Sequence, residues 1–146
     1  MTTYTLKRTG QNPLQFDGEL IGSGGPEADF QFPLSERGHP TGQITKFHRV
    51  EIYRTKGGKW IVAILFRSAW PSEPEFHMAE VADSPEGVQG IIDDYRENDL
   101  ENNYIGPPEG TENAMKNGAR LWAAYANQFD KAATDALSSL QPEIID

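Results

Sequence analysis

The chain has no cysteine among its 146 residues. Disulfides, thiolate metal centres and cysteine nucleophiles are therefore excluded, and a reducing, cytoplasmic setting is expected. Long apolar runs are also missing. The longest, Trp60–Phe66, has the length of a buried strand and falls far short of the roughly 20 residues that span a bilayer. Residues Met1–Arg8 lack the apolar stretch of a signal peptide. Neither a membrane partner nor a secreted fate is expected. Chemistry-bearing motifs are equally scarce. No serine sits in Gly-x-Ser-x-Gly, and Gly22-Ser23-Gly24-Gly25 lacks the Gly-Lys-Ser/Thr ending and the following helix of a phosphate loop. The three histidines include no His-x-x-x-His pair, so neither a metal nor a cofactor is expected.

What is present builds a core. Hydrophobic residues make up 37% of the chain, with 3 Trp, 5 Tyr and 7 Phe, and this length folds as one domain without staples. The single domain, 1–146, divides into a strand-rich part, 1–82, and a helical part, 83–141. Tyr4–Arg8 and Leu14–Gly22 read as two strands around Gly10-Gln11-Asn12-Pro13, the second kinked near Gly18. Residues 22–42 read as a long loop in which Phe30, Phe32 and Leu34 form a short edge strand or pin the loop to the core. Phe47–Arg54 and Lys59–Ser68 flank Thr55-Lys56-Gly57-Gly58, the pattern of a hairpin. Its second strand is apolar on both faces, with Trp60, Val62, Ile64 and Phe66 against Ile61, Ala63 and Leu65. That predicts an interior strand. Glu75–Ala82 is a further strand.

Asp83-Ser84-Pro85-Glu86 is a helix start, followed by Val88, Ile91, Ile92 and Tyr95 at helical spacing. Glu97–Gly110 reads as an acidic loop broken by Gly106-Pro107-Pro108. Thr111-Glu112 opens the longest helix, whose stripe runs through Met115, Gly118, Trp122, Tyr125, Phe129, Ala132 or Ala133, Ala136 and Leu140, with Pro142 as its stop. Strands first and helices later give the α+β class. The expected architecture is an antiparallel sheet of four to five strands. The long C-terminal helix packs on one face through Trp122, Tyr125 and Phe129, and the shorter helix precedes it.

Charge is strongly segregated. The net value is −9, yet residues 1–69 hold 9 basic and 6 acidic side chains, and residues 70–112 hold 12 acidic and 1 basic. Three candidate sites follow. The first is an acidic surface of Glu86, Asp93, Asp94, Glu97, Asp99 and Glu101, suited to a partner with a basic surface. It lacks the Asp-x-Asp-x-Asp-Gly order of a calcium loop. The second is a basic hairpin of Arg49, Arg54, Lys56 and Lys59, with Lys46, Arg67 and nearby aromatics, the composition of a weak nucleic-acid platform. The overall charge makes nucleic acid the poorer partner. The third is a pocket lined by His48, Glu51 and His77, with Glu75 as the alternative carboxylate, groups fit for neutral-pH proton transfer. His39 lies apart in the Gly/Pro loop.

The segment His48-Arg49-Val50-Glu51-Ile52-Tyr53-Arg54-Thr55-Lys56-Gly57-Gly58-Lys59-Trp60-Ile61-Val62 resembles a recurring pattern in uncharacterised bacterial proteins. Those read roughly Trp-Thr-Glu-Leu-x-Leu-Tyr-Arg-Thr-x-Gly-Gly-Lys/Arg-Tyr-Val. The preceding Phe16-Asp17-Gly18-Glu19-Leu20 is similar to their Phe-x-Gly-Glu-Leu. This chain departs from the pattern at His48-Arg49, and its helical half is unmatched. The resemblance implies a bacterial or mobile-element origin and no activity. The expectations that follow are a non-enzymatic protein-binding module, with an inhibitor of a nucleic-acid-binding groove as one form. The alternatives are a small enzyme or ligand-binding protein with a pocket between sheet and helix, and a weak nucleic-acid binder. Self-association, hairpin of one copy to acidic surface of another, is a further partner expectation.

Overall fold

A computed structural model describes residues 1–103 and 112–140. Five strands form one antiparallel meander in chain order: β1 (Thr2–Arg8), β2 (Gln11–Gly24), β3 (Lys46–Thr55), β4 (Trp60–Ser68) and β5 (Phe76–Ala82). Helix α1 (Pro85–Asp94) follows, then α2 (Glu112–Leu137). The expected α+β fold is what forms. Gly106-Pro107-Pro108, Thr111 and Pro142 lie outside the described residues, as does the side chain of Met115. Among the described residues no helix is long and apolar enough to cross a membrane.

Alternation along the central strands decides the layering, because successive side chains of a strand point to opposite faces. His48, Val50 and Ile52 of β3 pair across to Phe66, Ile64 and Val62 of β4, and this face lies under the helices. Here the main core gathers Val88 and Ile92 of α1, Tyr95 and Leu100, and Tyr125, Phe129, Ala132 and Ala136 of α2. Trp122 is partly buried against it. On the opposite face Tyr53, Ile61 and Ala79 are buried under Tyr4, Leu6, Leu14 and Phe16 of the first hairpin. The sheet curls to achieve this. Thr9 N–H donates to the His77 carbonyl at 2.9 Å, and Thr9 Oγ1 accepts from His77 N–H at 2.9 Å, so the tip of the β1–β2 hairpin meets β5. Both faces of β4 are thus covered, as its double apolar pattern predicts; the middle of the five strands is β3.

The irregularity in β2 lies later than expected. Gly18 pairs regularly with Thr55, and the register shifts between Leu20 and Gly22. The extra residue, Ile21, packs on the main core. A bulge exchanges the faces of the residues beyond it, which brings Gly22 and Gly24 under α2. There the helix backbone comes so close that a Cβ on Gly24 would strike the Ala132 carbonyl, and one on Gly22 the Ala136 carbonyl. Small residues at this crossing set the depth of α2.

The loop after β2 is pinned from below. Arg49 Nη1 donates to the Gly25 carbonyl at 3.1 Å, and Arg67 Nη1 to the Ala28 and Phe30 carbonyls at 2.9 and 2.7 Å. Phe30 and Phe32 pack on Phe47. Of the three alternating residues, Leu34 alone stays exposed, bridging Pro40 in a small turn. Helix α1 begins as its sequence dictates, with Ser84 Oγ accepting from Gly87 N–H at 3.0 Å and Pro85 in the first turn.

The helix does not end at Tyr95, where an acidic loop was expected. It widens into a π-turn over Tyr95–Asp99, closed by Leu100 N–H on the Tyr95 carbonyl at 2.8 Å, and ends in a 3₁₀ turn at Glu101–Asn103. The wide turn carries both Tyr95 and Leu100 into the core, where each is fully buried. A lone leucine in a polar run gives no periodic signal.

Replacing Gly24 with valine should lower stability by about 2 kcal/mol, the cost of overpacking against a backbone that must retreat. Gly90, in α1 with open space around it, should behave in the opposite way: Gly90→Ala should raise stability by about 0.5–1 kcal/mol. Urea unfolding of the two variants checks both signs.

Candidate functional site

The acidic residues ride on the helical segment that follows β5. Val88, Ile92, Tyr95 and Leu100 turn inward, and the carboxylates are left outside. Glu86, Asp93, Asp94, Glu97 and Glu101 are exposed and Asp99 is half-buried. Asp93 accepts from Gln89 Nε2 and Asp94 from Asn98 Nδ2, each at 2.8 Å. These are neutral donors. The single cation of the segment, Arg96, reaches away to Asp130 of α2 at 2.9 Å. Among the described residues none of the six carboxylates has an ion-pair partner.

The segment is held firmly from beneath. Tyr95 Oη meets His48 Nε2 at 2.8 Å and accepts from Asn103 Nδ2 at 2.8 Å, while Tyr125 Oη donates to the Leu100 carbonyl at 3.1 Å. The acids are therefore displayed on an anchored scaffold.

The basic hairpin has a different fate, because most of its cations are consumed by the fold. Arg49 is 6% exposed and lies between Glu51 at 3.3 Å and Glu27 at 3.5 Å. Lys59 pairs with Asp83 at 2.5 Å, and Lys46 with the buried Glu73 at 2.6 Å. Arg67 is held by its carbonyls and by Glu75 at 3.3 Å. Arg54 and Lys56 remain on the surface, and the Arg54 guanidinium lies over the Trp60 ring at 3.7 Å. The four expected residues Arg49, Arg54, Lys56 and Lys59 do not form one open basic platform.

Nor do His48, Glu51 and His77 share a pocket. His48 and Glu51 are an odd number of residues apart on one strand, so their side chains leave opposite faces. His77 is aligned with Leu65 and Arg49, on the Glu51 side. Glu51 accepts from Arg49 Nε at 3.3 Å and from Tyr53 Oη at 3.2 Å. Burial, and then the nearby Glu51 charge, hold the Tyr53 hydroxyl far above its ordinary value. His77 Nε2 lies 2.6 Å from Glu75 Oε2. That hydrogen bond holds the Glu75 carboxyl below its ordinary value, with burial opposing and Arg67 and Lys7 assisting. The pairing of His77 with Glu75 is the one the sequence allows at a two-residue spacing, whereas the place of Arg67 beside it depends on the register between β4 and β5. His39 stays in its exposed turn, its N–H on Ser35 Oγ at 3.1 Å.

His48 is sealed. It is 0% exposed, and Phe66, Tyr95, Tyr125 and Phe129 surround its ring at centroid distances of 5.1 to 5.6 Å. Its backbone is clamped as well. Gln128 Oε1 accepts from His48 N–H at 2.8 Å and Gln128 Nε2 donates to the His48 carbonyl at 2.9 Å. Burial pushes the imidazole pKa down to about 3. A sealed neutral ring is core, and its place in the alternation with Val50 and Ile52 is the signal that marks it so. Among the described residues no group of three or more His, Asp or Glu could hold a metal ion.

No family model, curated protein or solved structure matches this chain.

Truncating Arg49 to alanine should cost about 2 kcal/mol, since it strands Glu51 and frees the loop at Gly25. Removing both Arg54 and Lys56 should change stability by no more than about 0.5 kcal/mol. Thermal or urea unfolding of the two variants separates the structural cations from the surface ones.

Proposed function

We propose that the protein is a non-enzymatic binding module whose helical segment 86–101 presents carboxylates to a partner with a basic surface. One observation carries this reading. Six carboxylates stand on an anchored segment without ion pairs among the described residues, and Arg96, the cation of that segment, turns to Asp130 instead. Such a surface raises the encounter rate with a cationic partner and selects it by charge. A nucleic-acid-binding groove is one basic surface of this kind. Carboxylates standing where phosphates would lie make the module an inhibitor of such a groove, in keeping with the bacterial or mobile-element origin that the hairpin motif suggests.

The other readings are less well supported. Separation of His48 from Glu51 and His77 takes apart the pocket on which the enzyme reading rested. Capture of Arg49 and Lys59 leaves the nucleic-acid reading with little beyond Arg54 and Lys56.

The test is a pair of charge-matched triple variants. Asp93, Glu97 and Glu101 are changed to lysine in one, and Glu19, Glu36 and Glu80, exposed elsewhere, in the other. Pull-downs from a bacterial lysate at low and high salt should show partners of the native chain lost from the first variant, retained by the second, and weakened by salt. Equal retention by both variants, or binding indifferent to salt, would sink the proposal.

A further inference from the structure

We infer that His48 is an acid-operated latch, a single side chain whose protonation opens the helical layer from the sheet. The inference rests on how the ring is held and is independent of what the acidic surface binds. One ring nitrogen, Nε2, reaches the Tyr95 hydroxyl at 2.8 Å. The other, Nδ1, is buried without a hydrogen-bond partner among the described residues. An imidazolium carries a proton on both nitrogens. The one on Nδ1 would find no acceptor, and the charge would sit among four aromatic rings.

Every element packed on the ring contributes to that environment. Phe66 comes from β4, Tyr95 from the π-turn, and Tyr125 and Phe129 from α2, while Gln128 of α2 holds the His48 backbone. The titratable groups among them are the two phenols. Asp99 acts electrostatically on Tyr95, but no charged group perturbs the imidazole, whose displacement comes from burial alone. A charge so placed escapes only by solvation. The route to water is separation of α2 and the π-turn from β3, because those elements close the box.

The direction of the pH dependence follows. The ring's affinity for protons is ordinary in the opened chain and depressed in the closed one, from 6.5 to about 3. Between those values the opened state holds one more proton. The closed state is therefore fully favoured above the ordinary value, and each pH unit of acidification below it shifts the equilibrium about tenfold toward opening.

The experiment compares the native chain with His48→Phe and His48→Gln by urea unfolding from about pH 7 to pH 4. All three carry the same carboxylates, so the difference between their pH profiles isolates the imidazole. The native equilibrium should fall about tenfold per unit relative to the phenylalanine variant, with α1 and α2 amides losing hydrogen-exchange protection before those of β3 and β4. Should both variants fail to fold, the His48 ring resonances of the native chain decide: they should keep their neutral position until helix protection is lost. Parallel pH profiles, a His48 ring that titrates near its ordinary value in the intact fold, or simultaneous loss of helix and strand protection would each overturn the inference.

Discussion

The central hairpin cannot be left with either face in water, and the remaining elements answer to that constraint. β3 and β4 carry apolar side chains on both sides: Val50, Ile52, Val62, Ile64 and Phe66 on one, Tyr53 and Ile61 on the other. One cover comes from the helices. The other comes from the sheet itself, whose first hairpin curls until Thr9 meets His77. Tyr4, Leu6, Leu14 and Phe16 are partly buried by the curl, and the apolar area they remove from water favours it. The Ile21 bulge belongs to the same solution, since it turns glycines toward α2 exactly where the helix must come closest to the sheet.

Local chemistry made much of this fold legible. Thr55-Lys56-Gly57-Gly58 fixed the central hairpin, Ser84-Pro85 the start of α1, and the three-and-four spacing from Trp122 to Ala136 the inward stripe of α2. Long-range features were hidden. Arg49 reads as a surface cation until a loop more than twenty residues upstream delivers Glu27 and two carbonyls to it. Leu100 reads as an incidental apolar residue until a π-turn brings it to the core. The histidine site failed for a simpler reason. Parity along β3 already separates His48 from Glu51, and the two-residue spacing of Glu75 and His77 already puts them on one face, whereas the approach of Arg67 depends on a register that the sequence leaves open.

Charge is sorted by use. Four cations of the strand-rich half act as struts. Lys46 holds Glu73, Arg49 and Arg67 fasten the long loop, and Lys59 meets Asp83 at the entrance to α1. Exposed ion pairs of this sort contribute little each, but those at Arg49 and Lys46 are partly buried and position backbone. The anions of residues 86–101 have no such duty, and their mutual repulsion is a standing cost. The fold thus ties down part of its positive charge and gathers unpaired negative charge on one segment.

The side chain of Gln128 has a role beyond fastening α2. β2 leaves β3 after Val50, so the next stretch of β3 would present bare peptide groups sideways, the template on which a foreign strand adds itself. A primary amide has the same donor and acceptor as a peptide bond. By offering both to His48, Gln128 imitates one residue of a neighbouring strand and brings the ladder to a stop. There a helix side chain, and not a neighbouring strand, satisfies the peptide groups of β3.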